Sequence, residues 1–180
     1  MSVFIIRANV SHAADIATIG KKSFRNAFEH LFNSKDELFE YLENTYDPVK
    51  LVRSLRKENN VYFLGFSDGE PVGFVKLKKH SLNEQIESFT QMELQKIYVL
   101  PGHQHSGVGT GLMKQVKELA REIYPDHIWL DTHISNEKAI RFYEKNGFKK
   151  IGKQHFTIGT QTFEYHVMGM PVAFKIANAC

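Results

Sequence analysis

The apolar run Val3–Arg7 is the length of one short strand, and the pattern then turns helical. Ser11 reads as an N-cap, behind which Ile16, Ile19, Phe24, Phe28 and Leu31 form a helical stripe. Ser34 caps a second predicted helix whose apolar face is Leu38, Phe39 and Leu42. Asp47-Pro48 opens a third through Leu51, Val52 and Leu55, with proline at its first position. From Val61 the period changes. Val61–Phe66 and Pro71–Leu77 read as strands joined at Asp68-Gly69, a tight hairpin signal. A polar connection over 79–88 leads to a long strand expected at Phe89–Val99, ended by Pro101-Gly102. Leu112, Val116, Leu119, Ala120 and Ile123 then recur at helical spacing until Tyr124-Pro125. Ile128–Ile134 is another strand. Ala139, Ile140, Phe142 and Tyr143 sit on a further helix that an αL glycine should close at Asn146-Gly147. Phe148–Thr157 and Thr162–Met170 complete the pattern as a hairpin around Gly159-Thr160.

Runs of strands beside one strand–helix–strand unit imply a mixed α/β fold with a largely antiparallel sheet. The unit from Leu94 to Ile134 should place its two strands parallel, with the helix as a right-handed crossover. We find no repeat or linker, so a single domain over 1–170 with a tail over 171–180 is expected. The 180 residues suffice for a self-supporting core. Cys180 is the only cysteine, which leaves no internal disulfide and suggests a reducing, cytoplasmic setting. A surplus of three positive charges is too small to indicate a nucleic-acid partner, and no apolar run spans a bilayer. A homodimer is left open.

The residues that carry chemistry begin at Gln104-His105-Ser106-Gly107-Val108-Gly109-Thr110-Gly111, between a strand end and a helix start. Glycines let the backbone turn tightly and approach a ligand, and the first amides of a helix lack partners and carry the positive end of its dipole. A pyrophosphate fits that arrangement. The dinucleotide fingerprint fails because Leu112 stands where its third glycine belongs. The phosphate-loop pattern fails because Val108 and Gly109 replace its Lys and Ser/Thr. The pattern Q/R-x-x-G-x-G/A is met by Gln104, Gly107 and Gly109.

That pattern resembles the acetyl-CoA signature of the GNAT superfamily of N-acetyltransferases. Leu94–Val99 is similar to the family's strand before the loop, and Asn136 through Phe148 resembles its N-x-x-A-x-x-x-Y-x-x-x-G-F block. The resemblance implies acetyl-CoA as co-substrate, no metal, and direct attack by a primary amine. It implies cofactor contacts from Ile97, Tyr98 and Val99, from 104–111, and from Asn136, Ala139, Phe142, Tyr143 and Lys145. It also implies a backbone amide at Val99 or Ile97 for the oxyanion, with Tyr143 as the acid that protonates the departing thiolate. A packed core aromatic is the plain alternative for Tyr143. Glu93 is the candidate base; strand alternation puts it on one face with Gln95, Ile97 and Val99, and a solvated carboxylate is the alternative. Where the family often has Glu, this chain has Gln95. His103 and His105 lack a third ligand at metal-binding spacing. His133 reads either as a proton relay or as a core residue.

The acceptor is less constrained. Glu29, Asp36, Glu37, Glu40, Glu43 and Asp47 concentrate acid in one segment that would attract a cationic amine, with Glu29 and Glu40 as candidate contacts. The chain is also similar to the PaiA-type polyamine acetyltransferases, which implies spermidine or spermine. Protein N-termini, lysines and amino sugars are rival acceptors, and an acyl-CoA-binding regulator without catalysis is a rival class.

Overall fold

A computed structural model describes residues 2–172 of the chain. Seven strands form one sheet: β1 (Val3–Arg7), β2 (Asn60–Ser67), β3 (Glu70–Lys79), β4 (Gln91–Val99), β5 (His127–His133), β6 (Lys149–Ile158) and β7 (Gln161–Pro171). Their order across the sheet is β1-β2-β3-β4-β5-β7-β6. Among the described residues only β4 and β5 pair in parallel, through the crossover helix α4 (Val108–Ile123). The fold is therefore the mixed, largely antiparallel α/β architecture that the pattern predicts. The proposed tail lies outside the described residues from 173 onward.

Helices cover both faces. On one, α4 and α5 (Glu137–Lys145) bury Leu112, Met113, Val116 and Tyr143 against Val75, Leu77, Met92 and Leu94. On the other, α1 (Ala13–Phe28), α2 (Lys35–Thr45) and α3 (Pro48–Leu55) pack Ile16, Phe24, Leu42 and Leu51 against Tyr62, Leu64 and Phe74. Burial of apolar area at about 25 cal/mol per Å² makes these two layers the main source of stability.

Four local expectations are corrected. A 3-10 turn over Val10–His12 precedes α1, and its cap is Asn9, whose Oδ1 accepts from the Ser11 amide at 2.9 Å. Phe39 is 57% exposed, because Leu38 and Leu42 already define the inward stripe of α2 and Phe39 lies one residue round the helix. Phe89 is 94% exposed and precedes the sheet: the carboxylate of Asp126 accepts from the hydroxyls of Ser88 and Thr90, which holds this segment in a turn, and β4 starts at Gln91.

The fourth correction matters for the site. On β4, Leu94 pairs with Leu77 and Lys96 with Lys76, so Gln95 is an extra residue without a partner on β3. This bulge reverses the facing pattern. Met92 and Leu94 before it, and Ile97 and Val99 after it, all lie on the α4 side, whereas Tyr98 lies on the α1 side. Glu93 thus shares a face with Lys96 and Tyr98, not with Ile97 and Val99.

Candidate active site

Strands β4 and β5 pair only from Gln91↔His127 to Glu93↔Trp129, then part. Beyond Glu93, the β5-facing edge of β4 has no strand partner. A cleft of about 1210 Å³ fills the gap, lined by β4 from Glu93 to Val99 and by Asp131, Thr132 and His133 of β5. A main-chain edge of this kind can accept an extended ligand as an added strand.

At one end of the cleft is the glycine segment. Gly107 has φ +91°, a conformation that costs a residue with a Cβ, and as the N-cap it offers α4 no side chain. The neighbouring Ser106 donates its hydroxyl to the His103 carbonyl at 2.6 Å and accepts from the Val108 amide at 3.4 Å, which braces the turn. The amides of Gly109 and Thr110 have no acceptor among the described residues, so the positive end of a 16-residue helix is open. Gln104, His105 and Gly109 line the cleft. Ser106, Gly107, Val108, Thr110 and Gly111 do not, and Val108 is buried beneath the sheet side of the turn.

Helix α5 forms the opposite wall. Asn136 caps it, its Oδ1 accepting from the Ala139 amide at 3.3 Å, and Gly147 at φ +101° takes the left-handed turn that ends it. Asn136, Ala139, Phe142 and Tyr143 all line the cleft, whereas Lys145 is exposed outside it. The Tyr143 ring is held edge-on between Phe142 and Phe148, with centroids at 5.7 and 6.0 Å. Burial raises its hydroxyl pKa above the ordinary phenol value, so it is protonated throughout the neutral range. That hydroxyl has no hydrogen-bond partner among the described residues.

Acidic groups converge from the two parted strands. Glu93 is 9% exposed, accepts from Ser81 Oγ at 2.7 Å and has Lys78 Nζ at 3.8 Å. Asp131 faces the same space; its Oδ2 accepts from Gln154, while its Oδ1 is buried with no partner. Burial first, and the nearby Glu93 charge second, push the Asp131 carboxyl up to about 7, against the Gln154 hydrogen bond. Lys96 also lines this wall and is lowered to about 8 by burial, opposed by Glu93. Asp131 and Lys96 were not singled out from the sequence, because their meeting with Glu93 depends on the bulge and on the register of β5. His133 is 8% exposed, its Nδ1 accepting from the Ser135 amide at 3.2 Å, and its pKa is lowered by burial and then by His30. It lies at 5.4–6.0 Å from the rings of Phe28, Phe163 and Tyr165, packed while still bordering the cleft.

The outer end of the cleft is aromatic, with Phe24 and Phe28 from α1, Tyr41 from α2 and Phe156 and Tyr165 from the β6–β7 hairpin. The tip of that hairpin is fastened to the helical layer. Thr160 donates its amide and hydroxyl to Glu37, and Gln161 donates to the Leu31 carbonyl at 2.6 Å and accepts from the Asn33 amide at 3.0 Å. Glu29 and Glu40 are exposed and do not line the cleft: Glu29 sits in the 3-10 turn Glu29–Leu31 after α1, and α2 turns Glu40 outward from Leu38 and Leu42. Among the described residues no group of three or more His, Cys, Asp or Glu is placed to hold a metal ion. Likewise, no helix among the described residues is long and apolar enough to cross a membrane.

Comparison with known proteins agrees with this geometry. An uncharacterized N-acetyltransferase of Lactobacillus delbrueckii subsp. lactis is 26% identical over 158 residues, covering 87% of this chain and 90% of that one. A streptothricin acetyltransferase of Streptomyces lavendulae is 31% identical over 86 residues, 48% of this chain and 42% of its own. Among solved structures, the PaiA N-acetyltransferase of Thermoplasma acidophilum in complex with coenzyme A shares the fold, with a TM-score of 0.77 and 19% identity over 96% of this chain and all of that one. The model of the acetyltransferase (GNAT) family matches residues 23–148, more than half the chain, so the chain belongs to the GNAT family of acetyl-CoA-dependent N-acetyltransferases.

Proposed function

We propose that the chain transfers the acetyl group of acetyl-CoA to the primary amine of a small cationic acceptor, of the polyamine class represented by spermidine and spermine. The observation that carries this reading is the parting of β4 and β5 beyond Glu93 and Trp129, which lets an unpaired strand edge, an open helix start, a protonated phenol and a carboxylate pair meet in one cleft. The free amides of Gly109 and Thr110 hold the pyrophosphate. The pantetheine arm lies along the β4 edge at Ile97, Tyr98 and Val99, reached from α5 by Asn136 and Phe142.

The chemistry follows from what each group can do. The acceptor arrives as an ammonium, with an ordinary pKa of about 10.4, and must lose a proton before attack. Asp131, with its carboxyl near 7 and an unpartnered oxygen, is suited to accept that proton, and Glu93 holds the second negative charge that draws the cation in. The amine nitrogen then bonds to the thioester carbonyl carbon, whose oxygen takes the negative charge and meets a β4 amide. As the carbon–sulfur bond breaks, Tyr143 gives its proton to the thiolate, the nitrogen sheds its second proton to water, and water returns a proton to Tyr143, leaving coenzyme A and the acetylated amine. The aromatic end favours an alkylammonium chain, since cations are attracted to ring faces.

Release of free thiol from acetyl-CoA, measured over a panel of spermidine, spermine, lysine peptides, aminoglycosides and amino acids, tests the reading. Strong stimulation by the two polyamines supports it. Stimulation confined to peptides or aminoglycosides would replace the acceptor class, and no stimulation by any amine would sink the proposal.

A further inference from the structure

Lys96 borders the acceptor cleft and also a second, smaller chamber of about 140 Å³ between β2–β4 and the α2–α3 helices. Lys50, Lys76, Thr45, Ser54 and Tyr62 line that chamber too, and no carboxylate does. Lys76 and Lys96 are direct cross-strand partners, a placement in which like charges oppose one another. Among the described residues neither ammonium lies within ion-pair distance of an acid: the nearest carboxylate on this face, Glu93, has Lys78 Nζ at 3.8 Å instead. Glu93 acts on both from beyond ion-pair distance, and each ammonium also faces a ring, with Lys76 Nζ 5.6 Å from the Tyr62 centroid and Lys96 Nζ 5.4 Å from that of Tyr46. Ser54 and Tyr62 hydroxyls are 2.8 Å apart and supply neutral donors beside the two cations.

We propose that this chamber is a binding site for a small anion, a carboxylate or phosphate group, held between Lys76 and Lys96 with the exposed Lys50 on its solvent side. Two half-buried cations set against each other with no carboxylate in the chamber are unfavourable, and one anion between them relieves the repulsion and accepts charge-assisted hydrogen bonds from both. Burial first, then Lys96 and Lys78, lower Lys76 to about 8 against the pull of Glu93, and a bound anion works in the same direction as Glu93. Because Lys96 faces both spaces, the anion has two sources: a free anion in solution, or an acid group carried by the acceptor amine itself.

The test uses the coenzyme A-loaded protein and the variants Lys76→Met and Lys50→Met, neither of which lines the acceptor cleft. Inorganic phosphate is titrated by calorimetry, and the difference between wild type and variant separates the chamber from the pyrophosphate loop. Loss of one charge-assisted contact weakens phosphate binding about tenfold in Lys76→Met, with a smaller loss in Lys50→Met. In parallel, KM is measured for lysine and for its decarboxylated counterpart, 1,5-diaminopentane. A rise in KM for lysine alone in Lys76→Met identifies the acceptor's own carboxylate as the anion. A weaker phosphate affinity with both KM values moving together identifies a free anion. Equal phosphate affinity in all three proteins, together with an unchanged ratio of the two KM values, overturns the proposal. Methionine keeps the unbranched apolar stem of lysine and drops only its ammonium, so the melting temperature of Lys76→Met should not fall. The calorimetric arm stands even if no amine is acetylated, which keeps this failure distinct from failure of the proposed function.

Discussion

Replacing Tyr143 with phenylalanine removes one oxygen atom and nothing else, and the structure fixes how the loss must divide between stability and turnover. The ring stays buried between Phe142 and Phe148, so the apolar contacts of α5 are retained. The hydroxyl makes no hydrogen bond among the described residues, and its removal therefore leaves no buried partner there unsatisfied. The expected change in folding free energy is within about 0.5 kcal/mol, the ordinary size for a substitution that creates neither a cavity nor an orphaned polar group. Cutting back to alanine would instead cost about 3–5 kcal/mol, as for other large aromatic residues removed from a core. Turnover should behave differently. If the hydroxyl protonates the departing thiolate, its loss lowers kcat by roughly 10²–10⁴-fold. Because burial raises the pKa of this group, it loses no proton across the neutral range, and wild type should show no alkaline fall in rate from Tyr143 there. Thermal unfolding and thiol-release kinetics on the same two preparations make the comparison. A kcat within threefold of wild type, or a drop in melting temperature that accounts for the lost activity, would refute the assignment.

If Asp131 takes the proton of the amine, its carboxyl near 7 sets the acid side of the rate profile, since folding favours its protonated form and the base becomes available only as pH rises past that value. A plot of kcat/KM against pH should climb through about 7 and lose this limb in Asp131→Asn, and Glu93→Gln should shift it to lower pH by removing a neighbouring negative charge; an upward shift contradicts the coupling. Gly107→Ala forces a Cβ onto a backbone at φ +91°, yet that atom meets nothing within 4 Å, so the cost is backbone strain alone, about 1–2 kcal/mol, seen as a lower melting temperature and a higher KM for acetyl-CoA. Glu29→Gln and Glu40→Gln should leave the amine KM unchanged within twofold, since both residues lie outside the cleft; a larger rise in steady-state assays would put the acidic segment back at the site. Glu37→Ala frees the hairpin tip from α2 and should raise the amine KM more than that of acetyl-CoA, which initial-rate measurements at fixed levels of each substrate separate.

What could be read from the chain and what could not divide along a physical line. The glycine segment before α4 and the α5 block are local: glycines at fixed offsets, a cap at Asn136 and a left-handed stop at Gly147 each act within a few residues. Alternation carried the strands equally well until β4, where both sides of the sheet are covered by helices and Leu94-Gln95-Lys96-Ile97 gives no sign of an extra residue. The bulge there moved Glu93 to the opposite face and brought Lys96 and Tyr98 beside it. Asp131 became visible only through the register of β5 and the reach of Gln154 from β6. Charge misled in a different way, since the acids of α2 sit on a solvated helix face while two better-placed carboxylates stand alone in their own segments.

The fastening of the β6–β7 tip to the loop after α1 joins stretches of chain some 128–130 residues apart. One consequence concerns divergence. On the proposed function, the coenzyme half of the cleft relies on main-chain groups, which most substitutions leave intact, whereas the opposite half is assembled from the rings of three separate segments. On that proposal, exchange of those rings would alter which amine is accepted while the coenzyme grip is inherited unchanged.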